Sequence, residues 1–81
     1  MRRGDMEAAV VSTSRYFVSR DGSVWKVTKE THVLGRYGTK QHAADAARAM
    51  ARADLPSHVL IQGFDGRYQL EWSYEPLPPR G

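Results

Sequence analysis

The sequence contains no cysteine, and this absence excludes a group of chemistries. A chain without thiols forms no disulfide framework, holds no thiolate-bound zinc or iron–sulfur cluster, and offers no thiol nucleophile. The longest fully apolar stretch is Ala8–Val11, whereas a membrane span needs ~20 apolar residues. We therefore expect a protein that is neither membrane-inserted nor exported and that is located in the cytoplasm.

What the chain does contain is enough apolar matter for one small domain. Of its 81 residues, 41% are hydrophobic and 26% are charged, a balance typical of a folded chain and not of a disordered one. The formal net charge is +3. The basic excess lies within residues 15–74, where the cations are scattered among acids and form no run. A dedicated nucleic-acid binder usually carries a basic stripe.

No catalytic, cofactor or metal site is predicted. The histidines His32, His42 and His58 show no spacing that would place two of them side by side as metal ligands. Asp21 and Asp65 each precede a glycine, a position at which aspartate caps a turn. Six serines lie outside any recognisable nucleophile motif. We expect a protein that is not an enzyme and binds no cofactor.

Two hairpins are predicted, one on each side of a helix. The dipeptides Asp21-Gly22 and Asp65-Gly66 are turn signals between segments rich in aromatic and β-branched residues. In the first hairpin, His32–Leu34 is interpreted as a continuation of the second strand past a bend. In the last strand, residues Tyr68, Leu70, Trp72 and Tyr74 alternate with polar residues, which predicts that these four share one face.

An alanine-rich helix is predicted between the hairpins. Thr39 is a suitable N-cap, and seven alanines follow between Ala43 and Ala53. Pro56 cannot continue a helix, so we expect the helix to end near Asp54 or Leu55. The three prolines within residues 75–81 predict an extended tail, and residues 1–14 lack a sustained period and are interpreted as a flexible arm.

The predicted fold is therefore α+β, with the order β-β-α-β-β. Two hairpins within residues 15–74 build a four-stranded, mostly antiparallel sheet, and the helix packs on one face of it. A single helix leaves the other face uncovered. If Tyr16 and Val18 point to the helix, Phe17 points away, and Leu60 does so between Val59 and Ile61. The opposite register merely exchanges which apolar residues are uncovered.

Several short features recur together in one known family. They are Tyr16-Phe17-Val18 with Asp21-Gly22, Trp25-x-Val27, Thr39 before Ala43, Ala46, Ala47 and Ala51, Leu60-Ile61, Asp65-Gly66-Arg67, Ser73-Tyr74 and Pro78-Pro79-Arg80-Gly81. In this combination the chain resembles domain of unknown function 2188, a family of small bacterial proteins, over roughly residues 15–81. The family has no assigned activity, so the resemblance implies a fold but does not indicate a function.

The uncovered apolar face predicts self-association, with a homodimer as the expected form and an unidentified protein as a further possible partner. Phe17, Leu60 and Trp72 are the predicted interface residues, and the tail around Leu77 is a further candidate for docking on a neighbour. Whether the face or an edge strand forms the interface is open. The alternative is weak, sequence-nonspecific nucleic-acid binding by sheet aromatics and basic residues, namely Arg15, Lys26, Arg48, Arg52 and Arg67.

Overall fold

The computed structural model describes residues 13–76, which form one sheet and one helix. The strands are β1 (Ser14–Asp21), β2 (Val24–Lys29), β3 (His32–Tyr37), β4 (Ser57–Gln62) and β5 (Tyr68–Tyr74), and the helix α1 (Lys40–Arg52) lies between β3 and β4. In the sheet the strand order is β3-β2-β1-β4-β5. The two central strands, β1 and β4, are parallel, and every other neighbouring pair is antiparallel.

The α+β class with one helix is confirmed, but the predicted four-stranded sheet is wrong. The described residues form five strands in a mixed sheet, because His32–Tyr37 turns back as a separate strand beside β2. The reversal takes place at Glu30-Thr31, where Glu30 adopts a φ of 54°. A hairpin-turn position with a positive φ is usually occupied by Gly, Asn or Asp. Since none of these stands here, the turn gave no signal in the sequence.

The two predicted turns do carry glycine where the backbone requires it. Gly22 has a φ of 66° and Gly66 a φ of 83°, values that glycine adopts without steric cost. In the first hairpin Asp21 pairs with Val24, so the loop consists of Gly22 and Ser23. A positive φ at the first loop position alone is the type II′ geometry, whose twist suits the flanking strands.

The helix begins and ends close to the predicted positions. The Thr39 hydroxyl accepts a hydrogen bond from the His42 backbone N–H at 3.1 Å, so Thr39 is the N-cap. The last helical residue is Arg52, and Ala53 is the C-cap. These caps fix the length of the element that covers the sheet.

The core lies between this helix and one face of the sheet. Small alanine side chains let the helix approach the strands closely, and the strands supply mainly β-branched residues. The buried apolar residues are Tyr16, Val18, Val27, Ala43, Ala44, Ala47, Ala51, Val59 and Ile61. We call this side of the sheet the helix face and the opposite side the open face.

Both edge strands contain an irregularity of register. In β3 the pairing jumps between Val27 and Thr28 of β2, which leaves Leu34 as an extra residue. In β5 it jumps between Val59 and Leu60 of β4, which leaves Glu71 as an extra residue. A β-bulge of this kind shifts the following side chains to the other face.

The predicted terminal segments fall mostly outside the described residues. The arm assigned to residues 1–14 is described only at residues 13 and 14, and Ser14 already belongs to β1. Of the predicted tail, residues 77–81 lie outside the described part, and these include Leu77, Pro78 and Pro79. Docking by the segment around Leu77 stays a prediction.

Candidate functional site

The open face carries apolar side chains that lie between the buried ones in sequence. Phe17 lies between the buried Tyr16 and Val18, and Leu60 between the buried Val59 and Ile61. Successive residues of a strand point to opposite faces. Phe17 and Leu60 therefore lie on the face that the helix does not cover, as the sequence predicts.

The register aligns these residues into a row that crosses the whole sheet. Phe17 pairs with Thr28 of β2 and with Leu60 of β4, Thr28 pairs with Val33 of β3, and Leu60 pairs with Leu70 of β5. We call this set the apolar stripe: Val33, Thr28, Phe17, Leu60 and Leu70. With neighbouring strands ~4.8 Å apart, the stripe is ~19 Å long from one edge of the sheet to the other.

Water reaches the stripe along its length. Val33 and Leu70, at its two ends, are 45% and 53% exposed. Phe17 and Leu60, near its centre, are half-buried by their neighbours. The Phe17 ring meets Tyr68 edge to face, with the centroids 5.1 Å apart and the planes at 75°. An edge-to-face arrangement of this kind favours the observed orientation of both rings.

A polar row borders the stripe on each side. The Lys26 row consists of Arg36, Lys26, Ser19, Gln62 and Tyr68, which the register aligns two positions from the stripe. The Arg15 row lies on the other side and consists of Glu30, Arg15, His58 and Ser73. A groove of about 500 Å³ on this face is lined in part by Phe17, Lys26 and Glu30.

The charges in these rows are held to different degrees. Arg36 Nε donates to Asp21 Oδ2 at 2.8 Å, and this guanidinium lowers the pKa of Asp21 below its ordinary value. Arg15 Nη2 lies 3.4 Å from Glu30 Oε1, with both side chains about half exposed. Within residues 13–76 Lys26 forms no ion pair. The open face therefore presents a cation at Lys26 and a loosely held carboxylate at Glu30.

The structure brings two of the three predicted interface residues together. Phe17 and Leu60 are neighbours in the stripe, whereas Trp72 pairs with Val59 and so lies on the helix face. There the Arg48 guanidinium lies 4.5 Å from the centre of the Trp72 ring. The bulge at Glu71 causes this separation, since it reverses the faces within β5.

The same bulge explains which residues the sequence reasoning missed. The alternation in β5 predicts one shared face for Tyr68, Leu70, Trp72 and Tyr74, but only the first two lie on the open face. Leu70 and Val33 were not identified as interface residues. The alternation within β5 could have identified Leu70 as an open-face residue. Val33 could be identified only if β3 was recognised as a separate strand.

The five basic residues of the nucleic-acid alternative are divided between the two sides of the molecule. Arg15 and Lys26 lie on the open face, and Arg67 lies in the loop before β5, 3.9 Å from Asp65. Arg48 and Arg52 belong to the helix on the other side. Trp25, an expected stacking aromatic, also belongs to the helix face, where its ring contacts the cations of Arg20 and Lys40 at 5.2 and 5.7 Å.

A cluster of titratable groups closes the end of the helix against the sheet. Asp54 Oδ2 accepts hydrogen bonds from Tyr16 Oη at 2.8 Å and from Lys29 Nζ at 2.9 Å. Lys29 first, and then the hydroxyls of Tyr16 and Ser14, lower the pKa of Asp54 to about 2. Burial raises the pKa of Tyr16, and the carboxylate raises the pKa of Lys29. These contacts stabilise the ion pair between Lys29 and Asp54, which ties the end of the helix to the sheet.

The described residues do not assemble a metal centre. His32 begins β3, His42 lies in the first helical turn and His58 lies in β4. No group of three or more histidine, aspartate or glutamate side chains converges within residues 13–76. Across the same residues, no helix has the length and apolarity required to cross a bilayer.

The fold and the stripe define a small α+β module with one covered and one uncovered sheet face. The sequence profile described as "Uncharacterized protein conserved in bacteria", domain of unknown function 2188, matches residues 16–74. The chain belongs to this family, and the resemblance noted in the sequence is thereby confirmed. No curated protein and no solved structure matches the chain significantly.

Proposed function

We propose that this protein is a non-enzymatic, self-associating interaction module, and that the apolar stripe is its contact surface. The supporting observation is a row of side chains from all five strands that lies on the face opposite the helix and is exposed at both ends. A small monomer gains stability when such a face is removed from water. A cytoplasmic location stays a prediction from the sequence.

The size of the surface sets the expected strength of association. The stripe and its bordering rows cover ~400 Å² of one copy, estimated from strand spacing and rise. Two copies would bury ~800 Å² in total, below the ~1,200 Å² at which standard stable interfaces begin. We therefore expect a reversible dimer whose population depends on protein concentration.

The face is a better candidate than either edge of the sheet. Each edge strand carries a bulge, at Leu34 in β3 and at Glu71 in β5. Bulges interrupt the regular row of free backbone groups that edge-to-edge pairing requires. The interface that the sequence left open is therefore assigned, in this proposal, to the open face.

The test is the mass of the full chain in solution, measured by sedimentation velocity and light scattering from about 1 to 300 µM, a range that spans weak dimers. The weight-average mass should rise from 9.1 kDa towards twice that value. Leu70→Lys should keep the protein monomeric over the same range, because it places an ammonium group at the exposed end of the stripe.

A matched control is available in Leu55→Lys. Leu55 is 47% exposed, close to the 53% of Leu70, but it lies in the connection after the helix and outside the stripe. It should associate like the unmodified protein. A mass of 9.1 kDa at every concentration, or equal effects of the two substitutions, would contradict the proposal.

Nucleic-acid binding has weaker support as an alternative function. Of its five basic residues, Arg15 and Arg67 have acidic neighbours, and Arg48 and Arg52 lie on the other side of the sheet. Affinity for a polyanion depends on neutralising several neighbouring phosphates. A titration with random single-stranded DNA and RNA at ~50 mM salt, where such contacts are strong, measures this alternative directly.

A further inference from the structure

Lys26 and Glu30 lie on opposite sides of the apolar stripe. Thr28 is the stripe residue of β2, Lys26 precedes it by two positions, and Glu30 follows it by two positions. Lys26 and Thr28 lie in β2 and share the open face, since residues two apart along a strand point the same way. Glu30 lies in the turn after β2, and it lines the same open-face groove as Lys26 and Thr28. A cation and a carboxylate thus border the stripe on opposite sides.

We propose that two copies pack open face to open face about a two-fold axis that runs along the apolar stripe, so that Lys26 of each copy meets Glu30 of the other. This inference rests on the proposed function and specifies its geometry. Rotation about that axis lays Phe17 over Phe17 and exchanges the two bordering rows. The Lys26 row of one copy then faces the Arg15 row of the second copy.

Charge complementarity selects this axis over the other face-to-face symmetry. With an axis parallel to the strands, β2 would lie over β4 of the second copy, and Lys26 would meet the neutral Gln62. The second copy would then cover Lys26 without bringing it a carboxylate, which costs desolvation energy. The axis along the stripe gives each lysine a carboxylate, and the symmetry forms this pair twice.

The backbone at Glu30 provides independent support. Glu30 has a φ of 54°, a region in which a residue with a long side chain is uncommon and glycine is unstrained. Among the described residues, the hydrogen bonds of its carboxylate are a 3.4 Å contact with Arg15 Nη2 and a 3.3 Å contact with the Arg15 backbone N–H, both exposed. A strained position that nevertheless carries a carboxylate on the open face is consistent with a functional role for that carboxylate.

A charge exchange tests the axis. The variants K26E and E30K and the double variant K26E/E30K are compared with the unmodified chain by sedimentation velocity, and circular dichroism checks that each folds. Each single variant sets like charges against each other twice, so its dimer dissociation constant should rise by about tenfold. The double variant restores opposite charges at both places and should return to within about threefold of the unmodified value.

The outcomes separate this inference from the proposed function. If the unmodified protein dimerises but the double variant stays as weak as the single variants, the axis is wrong and the self-association stands. If the unmodified protein remains monomeric, the proposed function fails and this inference fails with it. Recovery in the double variant supports both.

Glu30→Gly is a second variant that does not depend on reversed charges. Glycine accepts the positive φ, so the thermal midpoint of the monomer should be unchanged or higher. The dimer should nevertheless weaken, because both carboxylates are lost. Undiminished dimerisation of Glu30→Gly would overturn the assigned contact.

Discussion

The two faces of the sheet differ more in what covers them than in what they are made of. Val18, Val27 and Val59 on the helix face are fully buried, while Val33 and Leu70 on the open face are about half exposed. One helix of 13 residues covers one side of the five strands. Residues of one chemical type therefore serve folding on one side and remain available for contact on the other.

The polar groups differ between the faces in the same way. On the helix side they join separate elements through short contacts, as Asp54 joins the helix end to β1 and β2, and Arg48 joins the helix to β5. On the open side Arg36 and Asp21 form one short ion pair at 2.8 Å, but Lys26 has no ionic partner within residues 13–76, and Arg15 and Glu30 meet only loosely. Among the described residues, the helix side pairs its charges more closely than the open side does.

The largest effect is expected from comparing a lysine substitution on the helix face of β4 with the same substitution on the open face. Val59→Lys buries an ammonium group at a fully buried position, which costs several kcal/mol, a large share of the ~5 kcal/mol expected for so small a domain. Val59→Lys should therefore fail to fold. Leu60→Lys, one residue further on, should fold as a monomer, because its side chain can reach water from the open face.

Far-ultraviolet circular dichroism and urea unfolding measure this difference. Leu60→Lys should give a native spectrum with a cooperative transition, and Val59→Lys should give neither. Equal loss of structure in both variants would show that the open face is as essential to the fold as the helix face, and the distinction between the two faces would be lost.

A smaller effect is expected at Asp54, on the helix side. Its pKa is about 2 in the folded protein and 3.8 ordinarily, so the unfolded chain binds more protons between these values. The stabilisation is therefore complete above about pH 4 and is lost as the pH falls from about 4 towards 2. Since solvent reaches about a third of the carboxylate, the contribution is expected to be about 1 kcal/mol, after allowance for screening.

Asp54→Asn should remove this contribution at pH 7 and leave a smaller loss of stability on acidification to pH 2. The control is Asp45→Asn, on the exposed side of the helix, whose carboxylate accepts a hydrogen bond only from Gln41 among the described residues. Urea unfolding at several pH values gives both curves. If Asp54→Asn retains the full acid sensitivity of the unmodified protein, Asp54 does not stabilise the covered side in this way.

The sequence predicts those features of the fold that depend on local chemistry. Asp21-Gly22 and Asp65-Gly66 mark turns because glycine accepts a positive φ, and Thr39 marks the helix start because its hydroxyl caps the first turn. The uncovered face also follows from the sequence, since Phe17 and Leu60 alternate with residues that a single helix can bury.

What the sequence does not reveal depends on pairing between distant segments. The turn at Glu30 lacks the usual residue types, so nothing in the sequence separates β3 from β2. The bulge at Glu71 exists only in relation to β4, and the unbroken alternation of β5 conceals it. Trp72 was therefore assigned to the wrong face, and the alignment of the stripe across five strands could not be predicted.

The smallest effect is expected where that bulge has placed Trp72 under the helix. Arg48 Nε donates to the Tyr74 hydroxyl at 3.0 Å, and its guanidinium lies 4.5 Å from the Trp72 ring centre. Arg48→Met keeps most of the stem and removes the cation, so the free energy of unfolding should fall by about 1 kcal/mol. Arg52, four positions along the same helix, is exposed and has no such contact within residues 13–76, so Arg52→Met should change the free energy of unfolding by less than ~0.5 kcal/mol. If urea unfolding finds the two variants equally stable, the contact of Arg48 with β5 contributes nothing to the stability of the covered face.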